Sequence, residues 1–102
     1  METGIEIIAA ERRRQIEKEG WTPEHDASHI RGELAKAAAC YAYPPLARAD
    51  ISPDIGKPPF IWPFSAAFWK PTPDNRIKEL AKAGALIAAE IDRLLSESNK
   101  TA

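Results

Sequence analysis

Apolar residues recur every three to four positions in three stretches of this chain, and lose any period in a fourth. In the first, Ile5, Ile8, Ala9 and Ile16 make one apolar stripe. Thr3 and Glu6 stand at capping-box spacing before it, and Gly20 follows where a left-handed residue ends a helix. The pattern predicts helix 1 over about residues 3–19, with Trp21 folding back on Ile16 past the stop. Thr22-Pro23-Glu24 supplies an N-cap, an N1 proline and a first-turn acid. Helix 2 is therefore expected over about 24–43, its main body from Ser28. Its apolar face is Ile30, Leu34, Ala38 and Tyr41, and Pro44-Pro45 ends it. The strongest pattern comes last. Ile77, Leu80, Gly84, Ile87, Ile91 and Leu94 alternate spacings of three and four, the seam of a coiled-coil-like packing. Thr72-Pro73-Asp74-Asn75 caps this helix 3, expected over about 73–97, and the tail from Ser98 is expected to fray.

Between helices 2 and 3, residues 44–72 show neither period. Eight of the nine prolines, all three Phe and two of the three Trp fall between Pro44 and Pro73. Prolines at this density exclude a central strand. The aromatics are too much apolar surface for a disordered linker. The segment reads as a long ordered Pro/aromatic-rich loop, with one helical turn at Ser65–Trp69. The chain contains no valine and is rich in alanine, which favours helices over sheets. The expected fold is all-α: a three-helix bundle with this loop between helices 2 and 3, in a single domain over residues 1–102. Small-residue strips, Gly32/Ala35/Ala39 and Ala81/Gly84/Ala88, suggest close approach of helices 2 and 3. At about 24 residues, helix 3 outruns the other two, so part of its seam is expected to pack on another copy as a homo-oligomer.

Charge and cysteine content narrow the function. With 102 residues, a net charge of −1 and one Cys, the chain has no disulfide framework and no basic surplus for neutralising a nucleic-acid backbone. No apolar run reaches membrane-spanning length, and no signal-peptide pattern opens the chain. No nucleic-acid polymer or membrane partner is expected. No Gly-rich phosphate loop, nucleophile elbow or zinc-ribbon spacing is present. Cys40 reads as a small buried residue rather than a nucleophile.

Three groups of residues carry candidate chemistry. His25, Asp26, His29 and Glu33 follow Glu24. On a continuous helix, positions 25, 29 and 33 stack on one face and would ligate a divalent metal or carry a proton. The competing reading is a polar first turn with a solvated His29–Glu33 pair. Arg12 sits in the apolar stripe of helix 1 with Gln15 nearby. It must pair internally, with Glu33 or Asp26, or clamp a ligand. Trp62, Trp69, Lys70 and Arg76 join the aromatic loop to the start of helix 3. They offer flat faces for a base and cations for a phosphate, or else a hydrophobic plug at one end of the bundle.

The string ERRRQIEKEGWTPEHDASHIRGELAKAAACYA, then WPF, FWKP and RIKELAKAGALIAAEIDRL, resembles a family of small tailed-phage and prophage proteins. The likeness spans roughly Glu11 to Leu94 and includes no catalytic motif. The family's acidic stretch is often EHDD; here Ala27 replaces the second Asp, which weakens a metal-carboxylate reading. The polar and Trp residues recurring in the pattern are Arg12, Gln15, Trp21, His25, Asp26, His29, Glu33, Trp62, Trp69, Lys70 and Arg76. The resemblance implies a phage or prophage origin and action in the cytoplasm of a bacterial host. Small phage proteins commonly act against host defence, some by sequestering a nucleotide signal. The leading expectation is a protein that binds such a nucleotide-type ligand through those eleven residues, without catalysis and with no cofactor. One alternative is a metal-dependent nucleotide hydrolase holding a divalent ion on His25, Asp26, His29 and Glu33. The other is an interaction module that docks on a host enzyme through the aromatic loop.

Overall fold

A computed structural model describes residues 2–54 and 56–101. The described residues are mostly helical and include no strand, so the fold is all-α. Helix α1 runs Gly4–Glu19. Thr3 and Glu6 form the expected capping box, and Gly20 closes the helix at φ 74°. The region expected as one second helix is two. Helix α2 is a single turn, Pro23–Asp26, capped by the Thr22 side chain, and α3 runs Glu33–Ala42. Between them the Ser28 hydroxyl donates to the His25 carbonyl, and the chain turns at Gly32, whose φ is +81°. Serine bonding its own backbone competes with the helix, and glycine reaches the left-handed region at no steric cost. Gly32 thus starts α3, and an added Cβ there would meet nothing within 4 Å. It is not the packing glycine expected, and Ala35 and Ala39 of its strip lie exposed.

Residues 44–72 are less irregular than expected. A 3-10 helix spans Pro45–Ile51, and a 3-10 turn spans Ala66–Phe68. Helix α4 runs Arg76–Thr101, starting where the Asn75 side chain accepts the Lys78 N–H. The tail expected to fray is helical through Thr101, since no Gly or Pro interrupts it.

Helix α4 is the hub: α3, α1 and α2 all pack on it. Its inward face is not the Ile/Leu seam. Ala81, Ala83, Ala85, Leu86 and Ala89 are buried together with Glu79 and Lys82, whereas Ile77, Leu80, Ile87, Ile91 and Leu94 are exposed. The core joins that alanine face to Leu34, Ala37, Ala38, Cys40 and Tyr41 of α3 and to Trp62, with Trp21, Phe64 and Trp69 packed against it. Small side chains let the helices approach closely, and the two charges accept burial because both are partnered: Glu79 by Arg48 and Arg76, and Lys82 by the Lys70 carbonyl. Ile5 and Ile30, expected on apolar faces, are also exposed.

Gly84 does mark a tight contact. An added Cβ would lie 2.6 Å from Cδ1 and 2.8 Å from Cγ1 of Ile8. Gly84→Ala should therefore destabilise the chain by about 1–3 kcal/mol through overpacking. In an Ile8→Ala background the same change should become neutral or stabilising, because alanine is the better helix former by up to about 1 kcal/mol. Urea titration of the four-member cycle checks this, and equal effects in both backgrounds would refute the contact.

Candidate functional site

The short α2 and the turn after it aim their side chains at two neighbouring cavities. Asp26, 2% exposed, forms the partition. Its Oδ2 accepts from Arg12 Nη2 at 3.2 Å, and Arg12 Nη1 donates to the Trp21 carbonyl at 3.1 Å. The Arg12 side chain, expected either to pair or to clamp a ligand, is thus committed to pairing with Asp26 rather than with Glu33. One ring nitrogen of His25 lies 3.5 Å from Asp26 Oδ1.

On one side of Asp26 is a cleft of about 90 Å³ lined by Trp21, His25, Asp26, His29, Leu34, Phe64 and Phe68. The His29 ring meets His25 edge-on at 4.9 Å and Phe64 at 5.1 Å. His29 Nδ1 faces Glu33 Oε2 at 3.6 Å, and its Nε2 is buried with no hydrogen-bond partner. Glu33 is held below the usual carboxylate range: a burial penalty is outweighed by its own N–H, that of Arg31 and His29. On the other side, a groove of about 220 Å³ runs between Arg12, Pro23, Ala27 and Ile30 and the α4 residues Ala89, Asp92, Arg93, Ser96 and Glu97.

The continuous His25-His29-Glu33 face expected for a metal does not exist, because the helix breaks at Ser28–Gly32. Among the described residues no three His, Cys, Asp or Glu side chains are placed to hold a metal ion. The carboxylate best buried among the candidates, Asp26, is turned to Arg12.

The aromatic segment reaches this cleft through Phe64 and Phe68; Trp62, Trp69 and Lys70, expected among the ligand-binding residues, do not line it. Trp62 is buried and donates its indole N–H to the Ser65 carbonyl at 3.0 Å. It packs edge-on against Tyr41, Phe64 and Trp69. Trp69 stacks on Tyr41 at 4.8 Å, and the Arg48 guanidinium lies over the Trp69 ring, 5.4 Å from its centre. Lys70 donates its backbone N–H to the Tyr41 hydroxyl, and its carbonyl accepts from Lys82 Nζ. Arg76 donates to the carbonyls of Tyr41, Ala42 and Tyr43, closing the C-terminus of α3. These four residues fasten the segment to the helices. Gln15, 2% exposed, lies apart from the cleft: its Nε2 donates to Glu11, and it lines a narrow crevice with Trp21, Tyr41, Lys70 and Lys82.

Sequence inspection missed the centre of that fastening. Glu79 is fully buried and accepts from Arg48 at 2.8 and 3.0 Å, from Arg76 at 3.2 Å and from the Thr72 N–H at 2.9 Å. Burial alone would raise its pKa, but the hydrogen bonds and charge of Arg48, then Thr72 and Arg76, hold it below the usual carboxylate range. Lys82 lies over the Tyr41 ring at 5.3 Å, and burial followed by the nearby Lys78 lowers its amine. The one available signal was a Glu and a Lys three apart amid α4 alanines. Burial pushes the Cys40 thiol up to about 11, so it stays protonated and is no nucleophile at neutral pH.

Comparison with protein-family models, with curated proteins and with solved structures finds no match to this chain. Among the described residues no helix is long and apolar enough to cross a membrane.

Proposed function

We propose that this protein binds, without turnover, a small ligand carrying a flat heteroaromatic ring, of the nucleotide type. The observation carrying the reading is the cleft in which Trp21, His25, His29, Phe64 and Phe68 converge, with the buried His29 Nε2 lacking a partner. A buried polar atom without a hydrogen bond costs about 1–3 kcal/mol. A ring nitrogen or exocyclic group of a ligand seated against His29 removes that cost while the aromatic walls take the ring faces. The cleft is the size of a ring and not of a whole nucleotide, so sugar and phosphate extend outward past His25, the exposed polar member of the wall. The resemblance to tailed-phage and prophage proteins supports reading such binding as sequestration of a nucleotide signal against host defence, in the cytoplasm of a bacterial host.

The test is a thermal-shift and calorimetry panel of purine and pyrimidine bases, nucleosides and linear and cyclic nucleotides. At least one should raise the melting temperature by several degrees at saturation. The rise should vanish in His29→Ala and Phe64→Ala and persist in Trp69→Phe, whose ring lies outside the cleft. Absence of any shift across the panel refutes the proposal.

A further inference from the structure

Among the described residues, Lys82 is a buried cation without an ion pair. It is 8% exposed, and its Nζ donates to the Lys70 carbonyl at 2.7 Å. A neutral carbonyl satisfies one of the ammonium protons but leaves the charge uncompensated, and such a charge is costly to bury. Lys78 stands four residues earlier on α4, so the two ammonium groups share a helix face and repel each other. Lys70 adds a third cation from segment 70–72. Among the described residues no carboxylate oxygen lies within 4.0 Å of any of these three ammonium groups.

The three lysines line one side of a trough of about 320 Å³ between α1, segment 70–72 and α4. The acids on its α1 side are already taken. Arg14 donates to Glu11 twice at 2.8 Å and to Glu19 at 3.1 Å. Glu79, one turn before Lys82, is taken by Arg48 and Arg76. Four cations, Arg14, Lys70, Lys78 and Lys82, thus stand against two carboxylates, Glu11 and Glu19, which leaves the trough two positive charges in surplus. Thr72 lines it as well, and its Oγ1 is buried with no hydrogen-bond partner. A hydroxyl can donate to an anion, and leaving it unpaired costs stability.

We infer that this trough binds a phosphate dianion, free or as a phosphomonoester, on Lys70, Lys78 and Lys82. The charges match, since a phosphoryl group near neutral pH carries close to the two negative charges that the trough lacks. The donors match too. Ammonium groups are compact point charges, and three of them from two elements suit the separate oxygens of a tetrahedral anion. A planar carboxylate is better served by an arginine fork, and the fork of Arg14 is occupied. The anion gives Lys82 its counter-charge, relieves its repulsion with Lys78 and offers the Thr72 hydroxyl an acceptor. The trough and the aromatic cleft are lined by different residues, so this site does not rest on the ring-binding reading.

Calorimetric titration at fixed ionic strength and neutral pH tests this, with inorganic phosphate and methyl phosphate as probes and acetate as the carboxylate control. The wild-type chain should bind a phosphate probe saturably and acetate not at all. Tighter binding of methyl phosphate assigns the site to phosphomonoesters, and tighter or equal binding of inorganic phosphate assigns it to the free ion; both support the dianion site. Lys82→Met should weaken binding by about tenfold or more, the scale of one hydrogen bond to a charged group. Lys78→Gln, at an exposed position where folding is not at stake, should weaken it several-fold with unchanged helical circular dichroism. Lys36→Gln, at an exposed lysine of α3 away from the trough, should bind as the wild type does. No saturable binding of either probe at millimolar concentration, acetate binding as tightly as phosphate, unchanged affinity in Lys78→Gln or Lys82→Met, or lost affinity in Lys36→Gln overturns the inference.

Discussion

Glu79→Ala should be the most damaging single substitution in this chain, lowering unfolding free energy by about 3–5 kcal/mol. The reason is what it leaves behind. Arg48, whose side chain is 11% exposed, would keep a positive charge beside the core with one backbone carbonyl, that of Tyr41, as its remaining hydrogen-bond partner. The Thr72 N–H would lose its acceptor, and Arg76 would lose a partner at the C-terminus of α3. Removing one member of a buried ion pair leaves the other uncompensated, which costs far more than the pair itself contributes. Domains of this size hold about 5–15 kcal/mol in all. At roughly 4–8 °C per kcal/mol, the melting temperature should fall by more than 10 °C. A loss below about 1 kcal/mol in urea denaturation would show that the network is dispensable.

The same carboxylate sets an acid limb. Its pKa is lower in the folded chain than the ordinary 4.5. The folded state therefore binds its proton less tightly than the unfolded state. The stability it contributes is present above the ordinary value and disappears as pH falls through the lower folded value. In Glu79→Gln the acid limb of the stability–pH curve should be shallower in that window.

Asp26→Ala should be the second large effect, a loss of about 3 kcal/mol, because Arg12 would be left buried with only the Trp21 carbonyl. Arg12→Met/Asp26→Ala should recover a good part of that loss, since a well-filled apolar replacement removes the uncompensated charge. Failure of the double variant to recover would mean that Asp26 matters through its helix turn or His25 rather than through Arg12. The pair also bears on function. Asp26 walls both the aromatic cleft and the α4 groove. Ligand affinity in Arg12→Met/Asp26→Ala separates a residue that shapes the cleft from one that touches the ligand.

The candidate site was half legible. His25, Asp26 and His29 lie within five residues, and the sequence flagged them, with Glu33, as one cluster, whereas Trp21 came in only through the family resemblance. Their chemistry was read on a continuous helix, and that geometry was wrong. A serine hydroxyl and a left-handed glycine cost little locally, so a break at Ser28–Gly32 leaves a weak trace in the pattern. The partners of the cluster, Phe64 and Phe68, lie more than thirty residues away, and nothing local distinguishes them from Trp62 and Trp69, which fasten the segment instead.

What the sequence determined by itself is local. Capping boxes, N1 prolines and left-handed glycines act within a few residues, so α1 and the all-α character of the described residues were readable from the chain alone. Tertiary structure decided which face of each helix turns inward. On α4, hydrophobicity pointed to the Ile/Leu seam, but the buried face is alanine with Glu79 and Lys82. Close helix approach and a satisfied ion network outweighed side-chain hydrophobicity there. Both depend on groups brought from distant parts of the chain, Ile8 onto Gly84 and Arg48 onto Glu79. No periodicity within one helix can record a partner that arrives from another.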